Sequence, residues 1–324
     1  MPDRDETGPA GDGPKTGREQ GNCSNEPKKK VKKSNRHGKT SNQLYMVLPI
    51  INTIHHGNSH SILNKIAEET IHCIITSPPY YNAKLYSQYK SYNHYLRCLE
   101  DIIKKLWRVL ISGRYLIINT SAVIEPRKNR NSSSTRYPIP FDLHPIIMRN
   151  GFDYIETIIW KKPSGSAVRR NGGFHQNRIP LAYKTNSVTE YIMVFRKSCD
   201  HLIDDDIKKY SKKIIEESKV LGNYEQTDVW EINPVSDPNH PAVFPPDMIQ
   251  KLIRYYSMVG DLILDPYAGS GTVAKMCYKL RRNFCMIEQK KKFISLIYNK
   301  VNTLKLDDPS YRARIIRHRK KIST

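Results

Sequence analysis

From residue 44 onward, short apolar runs alternate with stretches in which apolar residues recur every three or four positions. The first pattern suits buried strands, the second helices packed by one face. IHCII (71–75) predicts a strand that stops at the turn Ser77-Pro78-Pro79. Tyr95, Leu99, Ile102, Ile103, Leu106 and Leu110 share one helical face and predict a helix over 92–110. Gly113 then precedes RYLIIN, a buried strand, and FDLHPIIMRN predicts a helix ending at Gly151. YIETIIW (154–160) and EYIMVF (190–195) are strands. After Pro245-Pro246, DMIQKLIRYYSM is a helix, since proline is tolerated in a first helical turn. DLILD (261–265), TVAKMCYKLRRN, FCMIE (284–288) and KKFISLIYNKVN follow as strand, helix, strand and helix. Such alternation predicts an α/β fold with a mostly parallel, twisted sheet. Two stretches break the rhythm. Residues 162–188 are basic, rich in glycine and poorly periodic, as expected of an inserted loop module. Residues 198–240 hold an amphipathic piece around 206–219 among polar loops.

Composition adds a partner. Among 324 residues, Lys and Arg number 53 against 31 Asp and Glu, a formal charge of +22. Charge of that size says nothing about fold, but it favours a polyanion. It is unevenly placed. Residues 1–26 carry three bases and six acids, whereas PKKKVKKSNRHGKT (27–40) carries seven bases and no acid. The two segments have few apolar residues to offset chain entropy, so 1–41 is expected to be a disordered tail. KKKVKK fits both a nuclear-import signal and a DNA-binding tail. The expected location is therefore inside the cell: the nucleus of a eukaryotic host, otherwise the bacterial cytoplasm. Two further acid-free basic stretches are 161–186, with six bases, and the C-terminal YRARIIRHRKKIST (311–324). The second is compatible with a further domain following it. Each run alone is compatible with a solvated surface; three together favour nucleic acid.

Other classes drop out. No apolar run approaches the roughly 18–20 residues needed to cross a bilayer, and the N-terminus has no apolar signal core. The six cysteines are scattered and form no CxxC pair, so neither a zinc site nor a disulfide framework is expected. His175 has no suitably spaced His or Cys to make it a metal ligand.

LILDPYAGSGT places Asp265 at a strand end, then a glycine turn, then a helix. Glycines let a backbone approach a ligand closely, and the helix N-terminus offers free amides. Glu288 ends the next strand, 23 residues after Asp265, at the spacing of a carboxylate that takes ribose hydroxyls. No GK[ST] follows, which excludes a triphosphate loop. The pattern suits an adenosine-containing cofactor; a plain strand–helix turn is the other reading.

Thr76-Ser77-Pro78-Pro79-Tyr80 also follows a strand end. Successive prolines fix φ and remove two amide donors. The Ser77 hydroxyl and Pro78 carbonyl are then rigidly held acceptors, suited to an exocyclic amino group. Tyr80 offers a flat face for a planar base. A rigid turn with an aromatic plug is the alternative.

TSPPY (76–80) with LDPYAGSGT (264–272) resembles motifs IV and I of the S-adenosylmethionine-dependent DNA amino-methyltransferases. The SPPY loop precedes the glycine loop, the permuted order of the beta class, found mostly in bacterial restriction–modification systems. HPAVFP (240–245) is similar to motif X, IIWKKP (158–163) to motif VIII, and EYIMVFRK (190–197) to the strand closing the catalytic sheet. The resemblance covers roughly 44–303. It implies a Rossmann-like catalytic domain over 42–310, a target-recognition insert at 162–188, double-stranded DNA as partner, and no metal; a homodimer is left open. Ser77, Pro78, Pro79 and Tyr80 would be catalytic. Asp265, Pro266, Tyr267, Ala268, Gly269, Ser270, Gly271, Thr272, Glu288, Phe244, Thr76 and Asn58 would hold the cofactor. Asn58 stands where the family often has Asp, and Tyr267 replaces the commoner Phe. Lys161, Lys162, Arg169, Arg170 and Arg178 would contact DNA. TSPPY is typical of the branch that methylates N4 of a flipped cytosine. An N6-adenine enzyme of the same fold is the nearest alternative, and an inactive DNA-binding module a more distant one.

Overall fold

Central strands that are apolar on both faces need helices above and below them. The computed structural model shows that arrangement; it describes residues 49–82, 88–125, 129, 131–166, 176–181, 183, 185–238, 240–304 and 313–318. The first half runs β1 (Thr53–His56), α1 (Ser59–Leu63), β2 (Ile71–Thr76), α2 (Tyr92–Val109), β3 (Leu110–Thr120), β4 (Val123–Glu125), β5 (Thr135–Tyr137), α3 (Ile139–Arg149) and β6 (Phe152–Lys161). After a 3-10 turn at Ser164–Ser166 the described elements are β7 (Thr189–Lys197), α4 (Ile203–Lys208), α5 (Lys212–Ser218), β8 (Val229–Glu231), β9 (Val235–Asp237) and β10 (His240–Val243). The chain continues with α6 (Pro246–Tyr256), β11 (Leu262–Asp265), α7 (Thr272–Lys279), β12 (Asn283–Glu288), α8 (Lys291–Asn302) and β13 (Arg314–Arg317).

Among the described residues the main sheet has nine strands in the order β13-β1-β12-β11-β2-β3-β7-β6-β8. All neighbours are parallel except β3–β7 and β7–β6. The expected α/β fold with a mostly parallel sheet is therefore present. Side chains alternate between two cores, as a period of two requires. Cys73 and Ile75 of β2, Ile263 of β11 and Phe284 and Met286 of β12 point to the core shared with α6, α7 and α8. Ile74, Leu264, Cys285 and Ile287 point to the core shared with α1, α2 and α3. Burying each such side chain contributes about 1.5–3 kcal/mol.

The long helix follows the expected stripe: Tyr95, Leu99, Ile102, Ile103 and Leu106 are buried, and the Ser91 hydroxyl caps its N-terminus by accepting from the His94 amide. It ends at Val109 because β3 begins at Leu110, earlier than expected. Gly113 makes this possible. It lies inside β3 at φ +80°, where a Cβ would meet Asp206 Oδ2 at 2.7 Å. The irregular 198–240 stretch contains α4, α5 and the short strands β8 and β9 rather than one amphipathic piece. The basic C-terminal segment was expected to lie beyond the catalytic domain. Instead Arg314–Arg317 adds an edge strand parallel to β1. Two isoleucines between arginines are too short an apolar run to announce a strand, yet charged residues suit a sheet edge. The expected tail 1–41, and Arg169, Arg170 and His175 of the insert, lie outside the described residues.

Candidate active site

The carboxyl ends of β2, β11 and β12 are neighbours, so the two loops expected from the sequence meet at one edge of the sheet, where parallel α/β folds place their ligands. One hydrogen bond joins them directly: Thr76 Oγ1 donates to Asp265 Oδ1 at 2.7 Å. The Tyr267 amide donates to the same oxygen at 3.0 Å. Asp265 is 1% exposed. Burial pushes its carboxyl up to about 7, against the Thr76 and Tyr267 hydrogen bonds and with a small push from Glu288.

The turn that follows is built on backbone geometry. Gly269 and Gly271 adopt φ +52° and +79°, a region that disfavours side chains. A Cβ on Gly271 would also meet Ile297 of α8 at 2.8 Å. The Gly269 amide donates to Glu288 Oε2 at 2.9 Å and the Lys290 amide to Glu288 Oε1 at 2.7 Å. Burial raises the Glu288 carboxyl. Pro266 accepts from the Ser59 hydroxyl through its carbonyl, Ala268 donates to Ile287 O at 3.0 Å, and Ser270 and Thr272 are buried with their hydroxyls 3.4 Å apart. Tyr267 packs against the core shared with α2, and burial raises its phenol. Phe244 is half-buried against the opposite core. Asn58 caps α1, its Oδ1 accepting from the His60 amide at 2.9 Å, while the preceding Gly57 amide donates to Glu288 O at 3.0 Å. The expected cofactor residues thus converge on the ends of β1, β2, β11 and β12, apart from Phe244, whose position follows β10.

The SPPY loop differs in kind. Pro78 is buried, and Ser77, Pro79 and Tyr80 are half-buried. The Tyr80 hydroxyl donates to Glu190 Oε2 at 2.7 Å and lies 3.5 Å from Ser77 Oγ. Burial, then the Glu190 charge, pushes the Tyr80 phenol well above its ordinary value. Asn119 Nδ2 donates to Glu190 Oε2 at 2.7 Å and to the Tyr80 oxygen at 3.1 Å. Glu190 also pairs with the Lys162 ammonium. Glu190 and Asn119 had not been singled out as site residues; a glutamate opening an apolar strand carries no motif of its own. Nor had a cluster of tyrosines in mostly tilted and edge-on ring contact, Tyr81, Tyr89, Tyr92, Tyr95 and Tyr137, lying beside the loop. Their only signal was a composition of 20 Tyr to 7 Phe.

Four buried side-chain atoms lack a hydrogen-bond partner among the described residues: Asn119 Oδ1, Thr120 Oγ1, Tyr95 OH and His94 Nδ1. Asn119 and Thr120 follow Ile118, the register partner of Thr76, and so flank Ser77. An unpaired buried group costs about 1–3 kcal/mol, so the Asn119 and Thr120 atoms beside the SPPY loop are candidate partners for polar ligand groups. With the buried Asp265, the half-buried Glu288 and a glycine cradle, the residues present fit a cofactor bearing ribose hydroxyls. No cluster suited to a metal ion occurs among the described residues. No helix there is long and apolar enough to cross a membrane.

Of the expected DNA contacts, Lys161 is ion-paired with Glu231 and Lys162 with Glu190. Arg178 is exposed at φ +55°.

Residues 71–299 match the DNA methylase family of N6 and N4 methyltransferases, a span that includes both loops and Glu288. The chain belongs to this family. Residues 1–44 match a family of unknown function. Among curated relatives, the type II beta methyltransferase M.BslI of a Bacillus species is 29% identical over 252 residues, 74% of this chain but only 26% of that protein. The type II methyltransferase M.MjaI of Methanocaldococcus jannaschii is 26% identical over 277 residues, 74% of this chain and 88% of that one. The fold is similar to that of TTHA0409 from Thermus thermophilus, solved in complex with S-adenosyl-L-methionine (TM-score 0.65, 22% identity, 82% of this chain and 98% of that one). It is also similar to the PvuII DNA methyltransferase, described as cytosine-N4-specific (TM-score 0.58, 16% identity, 80% of this chain and 89% of that one). Asn58 and β13 lie outside the family match, and Glu190 and Asn119 lie inside it.

Proposed function

We propose that this chain transfers a methyl group from S-adenosylmethionine to the N4 amino group of a cytosine turned out of double-stranded DNA. The observation that supports the reading most is the Thr76–Asp265 hydrogen bond, which joins the SPPY loop, read as the acceptor of an amino group, to the glycine turn, read as the cofactor cradle. When bound, S-adenosylmethionine supplies a methyl group on a sulfonium, open to attack by a nitrogen lone pair. Asp265, the 266–272 turn and Glu288 would hold it, with Phe244 and Asn58 at the margins.

The amino nitrogen of a base is a poor nucleophile, because its lone pair is conjugated with the ring. Ser77 Oγ and the Pro78 carbonyl accept its two N–H groups and favour the pyramidal form, which returns the lone pair to nitrogen. As the new C–N bond would form, the S–CH3 bond would break and leave its electron pair on sulfur as a neutral thioether, and the nitrogen would give up one proton along these hydrogen bonds towards solvent. Tyr80 and Pro79 wall the base and hold it in line, and positioning of this kind supplies much of the rate. A paired base is out of reach, so the target must be flipped. Arg169, Arg170 and Arg178 of the insert, with Lys161 at its root, would grip the duplex. Serine rather than an acid before the two prolines supports cytosine.

The test is mass spectrometry of nucleosides from unmethylated duplex DNA incubated with the full chain and S-adenosylmethionine. N4-methylcytosine is expected. N6-methyladenine would move the chain to the adenine branch, and no methylated base would remove the reading.

A further inference from the structure

The insert 162–188 connects the antiparallel strands β6 and β7. Its base is closed by the Lys161–Thr189 register pair and by the Lys162 amide, which donates to Val188 O at 2.8 Å. Glu190 stands at this base. Its side chain is 14% exposed, and it accepts from three donors of three different elements: Tyr80 of the SPPY loop, Asn119 of β3 and Lys162 at the mouth of the insert.

The hydrogen bonds have a direction. A phenol has one proton and two acceptor lone pairs. A carboxylate can only accept, so the Tyr80 proton is committed to Glu190 at 2.7 Å. Asn119 Nδ2 takes one acceptor position on the Tyr80 oxygen at 3.1 Å. Tyr80 therefore has no proton left for Ser77, whose oxygen lies 3.5 Å away. Any hydrogen bond between them must run from Ser77 to Tyr80. The Ser77 lone pairs then face the target amino group, as the acceptor role requires.

Resting on the proposed amino-methyltransferase reading, we propose that Glu190 is a positioning residue. It orients the Tyr80 hydroxyl so that Ser77 is presented as an acceptor, and through Lys162 it ties this state to the root of the DNA-recognition insert. A glutamine there can turn its NH₂ towards the Tyr80 oxygen. Tyr80 can then donate to Ser77, occupying one Ser77 lone pair and turning the Ser77 proton towards the substrate.

The test compares wild type, Glu190→Gln, Tyr80→Phe and the double variant as full chains with unmethylated duplex DNA. Single-turnover methyl transfer, S-adenosylmethionine binding by calorimetry, DNA binding by anisotropy and thermal melting are measured for each. Losing a hydrogen bond to a charged group is expected to slow transfer by Glu190→Gln about 10- to 100-fold. S-adenosylmethionine affinity should stay within about twofold, since Glu190 does not touch the glycine turn, and any change in DNA affinity from releasing Lys162 should be smaller than the loss in transfer rate. Tyr80→Phe removes the hydroxyl that relays the effect, so adding Glu190→Gln to it should cost little more. An unaltered rate in Glu190→Gln would overturn the inference. So would a full second loss in the double variant, or a loss confined to weaker DNA binding or a lowered melting temperature. A wild-type chain that methylates no DNA would instead sink the underlying reading.

Discussion

The two loops at the ends of β2 and β11 solve opposite problems with opposite residues. The SPPY loop removes backbone donors, since neither proline has an amide proton, and so offers oxygens to a group rich in N–H. The glycine turn clears side chains out of the way, brings backbone close, and backs it with the buried carboxyl of Asp265 and the half-buried one of Glu288. One loop is shaped to receive a target, the other to receive a donor molecule. A single hydroxyl, Thr76, joins them. Chemical identity at these positions thus follows from what the backbone must not do: donate in one loop, carry a Cβ in the other.

The sharpest way to separate the loops is Ser77→Ala. Turnover is expected to fall about 100- to 1,000-fold, the scale of losing one preorganised polar contact to a reacting group. Calorimetry should show cofactor affinity within about twofold of wild type, and parallel loss of both would erase the division of labour. Gly271→Val is its counterpart on the other loop. A side chain at φ +79° that collides with Ile297 costs about 1–3 kcal/mol in backbone strain alone. Cofactor affinity should drop at least tenfold, read by the same titration, together with the melting temperature. Thr76→Val tests the joint. It leaves buried Asp265 without one donor, and a stability loss of about 1–3 kcal/mol is expected in urea melts. Unlike the first two variants, it should impair turnover and cofactor affinity together.

The smallest effect is a pH dependence. Burial raises Asp265 to about 7 from an ordinary carboxylate value near 4. Its folded form binds the proton more tightly, so its stabilising contribution is complete below about pH 4 and is lost as pH rises through about 7. In cofactor-free protein, Asp265→Asn should therefore narrow the difference in melting temperature between pH 5 and pH 8. An unchanged difference would show that Asp265 is not the group being titrated.

Both loops were legible in the sequence because each imposes backbone demands that few residue types meet. The core helices and strands were legible for a similar reason: β2, β11 and β12 are buried on both faces and read as apolar runs, interrupted in β2 only by His72. Elements whose stability comes from neighbours were not. TIHH of β1 pairs on both sides, yet two of its four residues are histidines, and His55 is buried against Thr53 and His318. RIIR of β13 is held by the backbone of β1. Glu190 escaped notice because its importance lies in where Tyr80, Asn119 and Lys162 are brought by three other elements, which no local pattern records.

The pairing of β2 with β11 has a consequence for how the molecule comes into being. Cys73 and Ile74 sit beside Ile263 and Leu264, so strands almost two hundred positions apart are immediate neighbours at the middle of the sheet. Parallel contacts of such separation form slowly, because the long intervening chain must be closed before they are rewarded. During synthesis β2 leaves the ribosome long before its partner exists, with both faces apolar and one edge unpaired. The pocket cannot assemble until β11 and β12 have been made. Chaperone dependence during expression, and inactivity of nascent chains that stop short of Glu288, are expected from this strand order as much as from any single residue.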